Sequence, residues 1–125
     1  MNFLDAQTQR PELARRLETH DGLVVACYCA AWCDTCNGYR PGFAALAARM
    51  PEHLLVWIDI EESEELLGDE DIENFPTILV QSGRGNHFYG VMLPHPEHLE
   101  RLLQSLDISS SVAPAGPGSL RDLLS

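Results

Sequence analysis

The most constraining feature of the sequence is a pair of cysteines set between two different hydrophobic periods. Ala30-Ala31-Trp32-Cys33-Asp34-Thr35-Cys36 follows an apolar, β-prone run, Leu23 to Cys29, and precedes a stretch of helical period. A strand that passes through Cys-x-x-Cys into a helix places the first sulfur where unpaired backbone N–H groups converge. That is also the positive end of the helix dipole, where a thiolate is favoured. Cys33 is therefore expected to be the reactive sulfur. Cys36, one turn further along, is expected to be shielded and to act as the resolving thiol.

The flanking periodicities predict the surrounding elements. Phe3-Leu4-Asp5 fits an edge strand, and residues 11–18 fit a helix with Pro11 in its first turn and Leu13 and Leu17 on one face. Residues 23–29 are apolar on both faces, which predicts a central strand. From Asp34 onward, Cys36, Tyr39, Phe43, Leu46, Ala47 and Met50 recur at helical spacing, with Pro41 inside as a predicted kink. Residues 54–59 read as a second central strand, and strand–helix–strand implies a parallel crossover. Residues 78–81 and 87–91 form a predicted hairpin across the turn 82–86. The last amphipathic helix runs from Pro96 to Leu106. Residues 1–107 are read as one domain. Residues 108–125 have the Ser/Pro/Gly composition of a flexible tail, with room for one short terminal helix at Leu120–Leu124.

This order of motifs resembles the thioredoxin-like family over roughly residues 3–106. The matching residues are Trp32-Cys33-Asp34-Thr35-Cys36, Pro41, the strand ending Val56-Trp57-Ile58-Asp59, Phe75-Pro76-Thr77, Gly90 and the closing helix. The resemblance implies an α/β thioredoxin-like fold, a mixed sheet of four to five strands with helices on both faces. It also implies a cis peptide before Pro76 beside the dithiol, with the Phe75 backbone free to pair with an extended substrate. Trp32 would shield the thiols, or else serve as core.

Three departures from the family pattern alter the surroundings of the dithiol. A buried acid that helps take the proton from the resolving thiol aligns with Cys27, an aromatic with Cys29, and a lysine of the next strand with Leu55. Asp34 suits a helix start but opposes a thiolate at Cys33. Cys27 and Cys29 share a strand face with Cα atoms ~6.6 Å apart, so no bond is expected between them. They read as small core residues, with Cys29 as an auxiliary thiol the sharper alternative. A zinc site built from all four cysteines is a further alternative.

The resulting expectation is a thiol–disulfide oxidoreductase. Cys33 attacks a protein disulfide, Cys36 resolves it, and Trp32, Phe75 and Pro76 form the docking edge. An unidentified reductase returns the electrons, and no cofactor or metal is implied. The alternative is an adaptor of the same fold with slow or regulatory redox chemistry. The net charge of −11 argues against a nucleic-acid partner. Nine of the 19 acids lie between Asp59 and Glu73, as a solvated face or a steering surface for a basic partner. The five histidines show no metal spacing. No apolar run approaches a membrane span and no signal peptide is visible at Met1, so a cytoplasmic monomer is expected.

Overall fold

The structure is a computed structural model that describes residues 3–113 and 115–124. Its sheet has five strands: β1 (Leu4–Asp5), β2 (Val24–Cys29), β3 (Leu54–Asp59), β4 (Thr77–Ser82) and β5 (Gly85–Val91). Its helices are α1 (Arg10–Thr19), α2 (Asp34–Arg49), α3 (Pro96–Ser105) and α4 (Leu120–Leu124), with a 3-10 turn at Glu64–Leu67. The spatial order is β1-β3-β2-β4-β5. β1 and β2 flank β3 in parallel, whereas β4 runs antiparallel to both β2 and β5.

β2 lies in the middle of the sheet, which explains why every one of its residues is buried. Its side chains divide by parity, as strand geometry requires. Val25, Cys27 and Cys29 join the core formed with Tyr39, Phe43 and Leu46 of α2 and Leu99 and Leu103 of α3. Val24, Ala26 and Tyr28 face the opposite core, with Leu13 and Leu17 of α1 and Leu120 of α4. Each fully buried leucine in these layers contributes about 2 kcal/mol of transfer free energy.

α2 is continuous through Pro41, although proline removes one donor from its ladder. One residue later, Gly42 lets α3 settle on α2. A Cβ there would come within 2.3 Å of Pro96 Cγ. The start of α3 therefore requires a glycine on α2 at that point.

In the Ser/Pro/Gly-rich C-terminal segment, expected to be flexible, the described residues 108–113 and 115–124 lie along the domain. Asn86 Nδ2 donates to the carbonyls of Ala115 (2.9 Å) and Pro117 (2.7 Å). Gln81 Oε1 accepts the Leu120 N–H at 2.9 Å, and the Leu120 side chain is fully buried. Gly116 sits at φ +96, with Tyr89 Cγ only 2.8 Å from where a Cβ would stand. The physical reason is that polar side chains on β4 and β5 supply the hydrogen bonds the segment cannot make for itself. Leu120 then fills an apolar gap beside α1.

Candidate active site

The site is assembled at the C-terminal end of β2, where the chain turns into α2. The Cys33 N–H donates to the Ala30 carbonyl at 3.0 Å, and the Asn37 N–H returns to the Cys33 carbonyl at 3.0 Å. Cys33 is thus the N-cap, with extended backbone, and α2 begins at Asp34. The loop is tied from two sides. Asp59 Oδ2 accepts the Ala31 N–H at 3.1 Å, and Asn37 Nδ2 donates to the Ala31 carbonyl at 3.1 Å. Asp59 Oδ1 also accepts the N–H of Glu61 at 2.8 Å. The acid at the end of β3 therefore braces the turn before the cysteines. The sequence marked that acid only as part of a family pattern, and its position opposite Cys29 in the β2–β3 register is what makes the brace possible.

The four cysteines lie along one side of the sheet, but they are not equivalent. Cys27, Cys29 and Cys36 are buried, while Cys33 is partly open to solvent. Cys36 is disulfide-bonded to Cys29, with Cα atoms 5.8 Å apart, and Cys33 is free. The sequence spacing pointed to Cys33 as the partner of Cys36. Cys29 competes because it ends β2 directly beneath the first turn of α2. Cys27 remains a free thiol, its Sγ 3.8 Å from that of Cys29, with no bond between them. Burial pushes the Cys27 thiol far up, only partly offset by the Arg40 guanidinium. Cys27 therefore stays protonated and does not replace an acid as proton acceptor.

Of the other predicted residues, Trp32 is exposed, Phe75 is half-buried and Pro76 is buried. Trp32 is 65% exposed, which removes it from the core. Its ring meets Phe75 edge-on, with ring centres 5.7 Å apart. The Phe75–Pro76 peptide is cis, and Phe75 packs against the same cluster that Cys33 touches. Met92 donates its N–H to the Pro76 carbonyl at 3.1 Å. Behind the site, Arg40 bonds Asp5 Oδ2 at 2.9 Å and lies over the rings of Phe3 and Trp57 at 4.9 and 5.0 Å. Neither Arg40 nor this aromatic seat was singled out from the sequence.

Among the described residues, no group of three or more His, Cys, Asp or Glu is arranged to hold a metal ion. Among the same residues, no helix is long and apolar enough to cross a membrane. The acidic run has internal work as well as solvent contact. Glu65 pairs with Arg10, and Leu66 within it is fully buried.

Comparison with known proteins yields one family. The profile described as "Thioredoxin" matches residues 6–104. A thioredoxin of Bacillus subtilis is 36% identical over 64 residues, covering 50% of this chain and 62% of that protein. Thioredoxin H5 of Oryza sativa subsp. japonica is 33% identical over 60 residues, covering 48% of this chain and 44% of the rice protein. The alignments thus span less than two thirds of these relatives' own length. A solved thioredoxin variant from Halobacterium salinarum superposes with a TM-score of 0.68 at 24% identity, covering 90% of this chain and 96% of that one. At that identity the structural likeness shows the fold.

Proposed function

The chain belongs to the thioredoxin family, and from that premise we propose that it is a thiol–disulfide oxidoreductase acting on protein disulfides. The observation that carries this reading is the position of Cys33. Of the four cysteine sulfurs it alone has solvent access, and it caps α2 next to the exposed Trp32, whose ring meets the half-buried Phe75. In the reduced protein, the Cys33 thiolate attacks one sulfur of the substrate disulfide. A Cys33–substrate mixed disulfide forms, and the other substrate sulfur leaves as a thiolate and takes up a proton. Cys36 then loses its proton to water, attacks Cys33 Sγ and releases the second substrate thiol. Two electrons have passed to the substrate, and a protein disulfide remains for a reductase to reopen.

Trp32, Phe75 and Pro76 form the docking edge for an extended substrate segment in this reading. Backbone hydrogen bonds supply part of the affinity there. The same reading places the protein in a reducing compartment, the cytoplasm, as a monomer served by a separate reductase. Absence of nucleic-acid and membrane partners fits the net charge of −11 and the lack of a spanning helix among the described residues.

Reduction of insulin by dithiothreitol, followed by turbidity, tests the activity. The full chain accelerates precipitation, and Cys33→Ser returns the rate to background. Turnover that survives in Cys33→Ser refutes the assignment of the nucleophile. An adaptor with only regulatory redox chemistry gives no acceleration with the native chain.

A further inference from the structure

We propose that Cys36 alternates between two disulfide partners, Cys33 and Cys29, and that the Cys29–Cys36 form is a stored state in which Cys33 cannot be resolved. This rests on the dithiol reading above and adds a third sulfur to it.

The geometry supplies both partners. Cys36 lies in the first turn of α2, three residues after the N-cap Cys33, so the two side chains leave the helix on neighbouring faces. Cys29 ends the central strand below the same turn and is bonded to Cys36, with an ordinary Cα separation of 5.8 Å. The parity of β2 explains why Cys29 can reach. It belongs to the same face and the same core cluster as Cys36, whereas Tyr28 next to it faces the opposite core. Cys27 is the next sulfur inward, 3.8 Å from Cys29 Sγ and unbonded to it.

Interconversion needs no outside oxidant. The Cys33 thiolate attacks Cys36 Sγ, the Cys29–Cys36 bond breaks, and Cys29 Sγ leaves as a thiolate. Cys29 then takes up the proton that Cys33 released to water. One S–S bond forms, one breaks, and the number of oxidised sulfurs is unchanged. The two forms differ chemically. With Cys33–Cys36 closed, both active thiols are used. With Cys29–Cys36 closed, the oxidising equivalent is buried and Cys33 is a single open thiol. A mixed disulfide formed at Cys33 in that state has no resolving thiol, so the partner stays attached.

The cysteine linkage of the oxidised chain tests this directly. The protein is oxidised with a graded series of diamide, quenched with acid, blocked with N-ethylmaleimide and cut with chymotrypsin. Tyr28, Trp32 and Tyr39 place cleavage sites so that Cys29 and the Cys33/Cys36 pair fall on separate peptides. Mass spectrometry then distinguishes a cross-linked pair of peptides, with Cys33 blocked, from a looped peptide with Cys29 blocked. Both species are expected in the native chain across the series. Cys33→Ser is expected to give only the cross-linked pair, and Cys29→Ala only the looped peptide. Either linkage alone in the native chain, or no disulfide at all, overturns the proposal, and that readout needs no variant to fold. Insulin turnover by the native chain is read separately. Its absence would remove the oxidoreductase activity while leaving the linkage map standing.

Discussion

Trp32 meets Phe75 edge-on across the mouth of the site, with ring centres 5.7 Å apart, and the Trp32 ring is mostly in solvent. Phe75 is half-buried against the core, whereas an exposed ring such as Trp32 contributes little to folding. It offers substrate a large surface with few rotamers to freeze. Trp32→Ala is expected to lower stability by no more than about 1 kcal/mol. Its KM for a protein disulfide is expected to rise severalfold, with a smaller change in kcat. Urea denaturation and insulin-reduction kinetics read the two effects. A stability loss typical of a core tryptophan, about 3 kcal/mol or more, would return Trp32 to a structural role.

The Tyr28 hydroxyl donates to the Leu66 carbonyl at 2.9 Å in a fully buried setting, joining β2 to the 3-10 turn. Tyr28→Phe leaves that carbonyl without a partner and without access to water. The expected cost is about 1–3 kcal/mol. Urea denaturation checks it, and an unchanged midpoint would show that the acidic segment does not depend on this tie.

All three tyrosines are held protonated beyond the ordinary range. Burial raises Tyr28 and Tyr39 strongly. Burial and then the Glu70 carboxylate push Tyr89 up to about 12. Each folded-state value lies above the unfolded value of about 10. The unfolded chain therefore loses protons first as the pH rises. The associated stability is complete below pH ~10 and is lost as the pH climbs through about 12. Absorbance at 295 nm is expected to stay flat through pH 10 while far-UV circular dichroism remains native. It should then rise together with alkaline unfolding. A phenolate signal near pH 10 from the folded chain would contradict this.

Asn86 holds the C-terminal segment by two carbonyls, and Gln81 Nε2 donates to Asn86 Oδ1 at 2.7 Å. Asn86→Ala removes both side-chain bonds that Asn86 makes to the segment and leaves Gln81 with one fewer partner. The Leu120 amide, which bonds Gln81 Oε1, is expected to exchange with deuterium at least tenfold faster, while amides of β2 keep their protection. Equal exchange in the variant and the parent would show that Leu120 packing and the segment's other bonds, to Gln81, Arg84 and His87, fix it without the Asn86 side chain.

The contrast between what could and could not be read from the sequence has a physical basis. β2, α2 and β3 are specified locally, by apolar runs and by the Trp-Cys-x-x-Cys and Phe-Pro-Thr motifs, so the sheet, the crossover and the position of Cys33 were legible. Strand parity also put Cys27 and Cys29 on one face without a bond, as found. The approach of Cys29 to Cys36 depends on how tightly the chain turns between β2 and α2. Asp59 and Asn37 set that turn from elsewhere, and no spacing within residues 29–36 encodes it. The course of the C-terminal segment is not legible for a related reason. Its composition describes how it behaves alone, whereas Asn86, Gln81 and the gap filled by Leu120 belong to other parts of the chain.

The Cys29–Cys36 crosslink also changes the length of chain that a pulling force can release. Seven residue steps separate the two cysteines, about 25 Å when extended. The crosslink replaces them with a span of 5.8 Å. A Cys33–Cys36 bond would hide only three steps, about 10 Å. Two states with the same number of oxidised sulfurs therefore differ in extended contour, and tension favours the longer of the two. The choice of cysteine partner is therefore sensitive to tension along this end of β2 as well as to redox conditions.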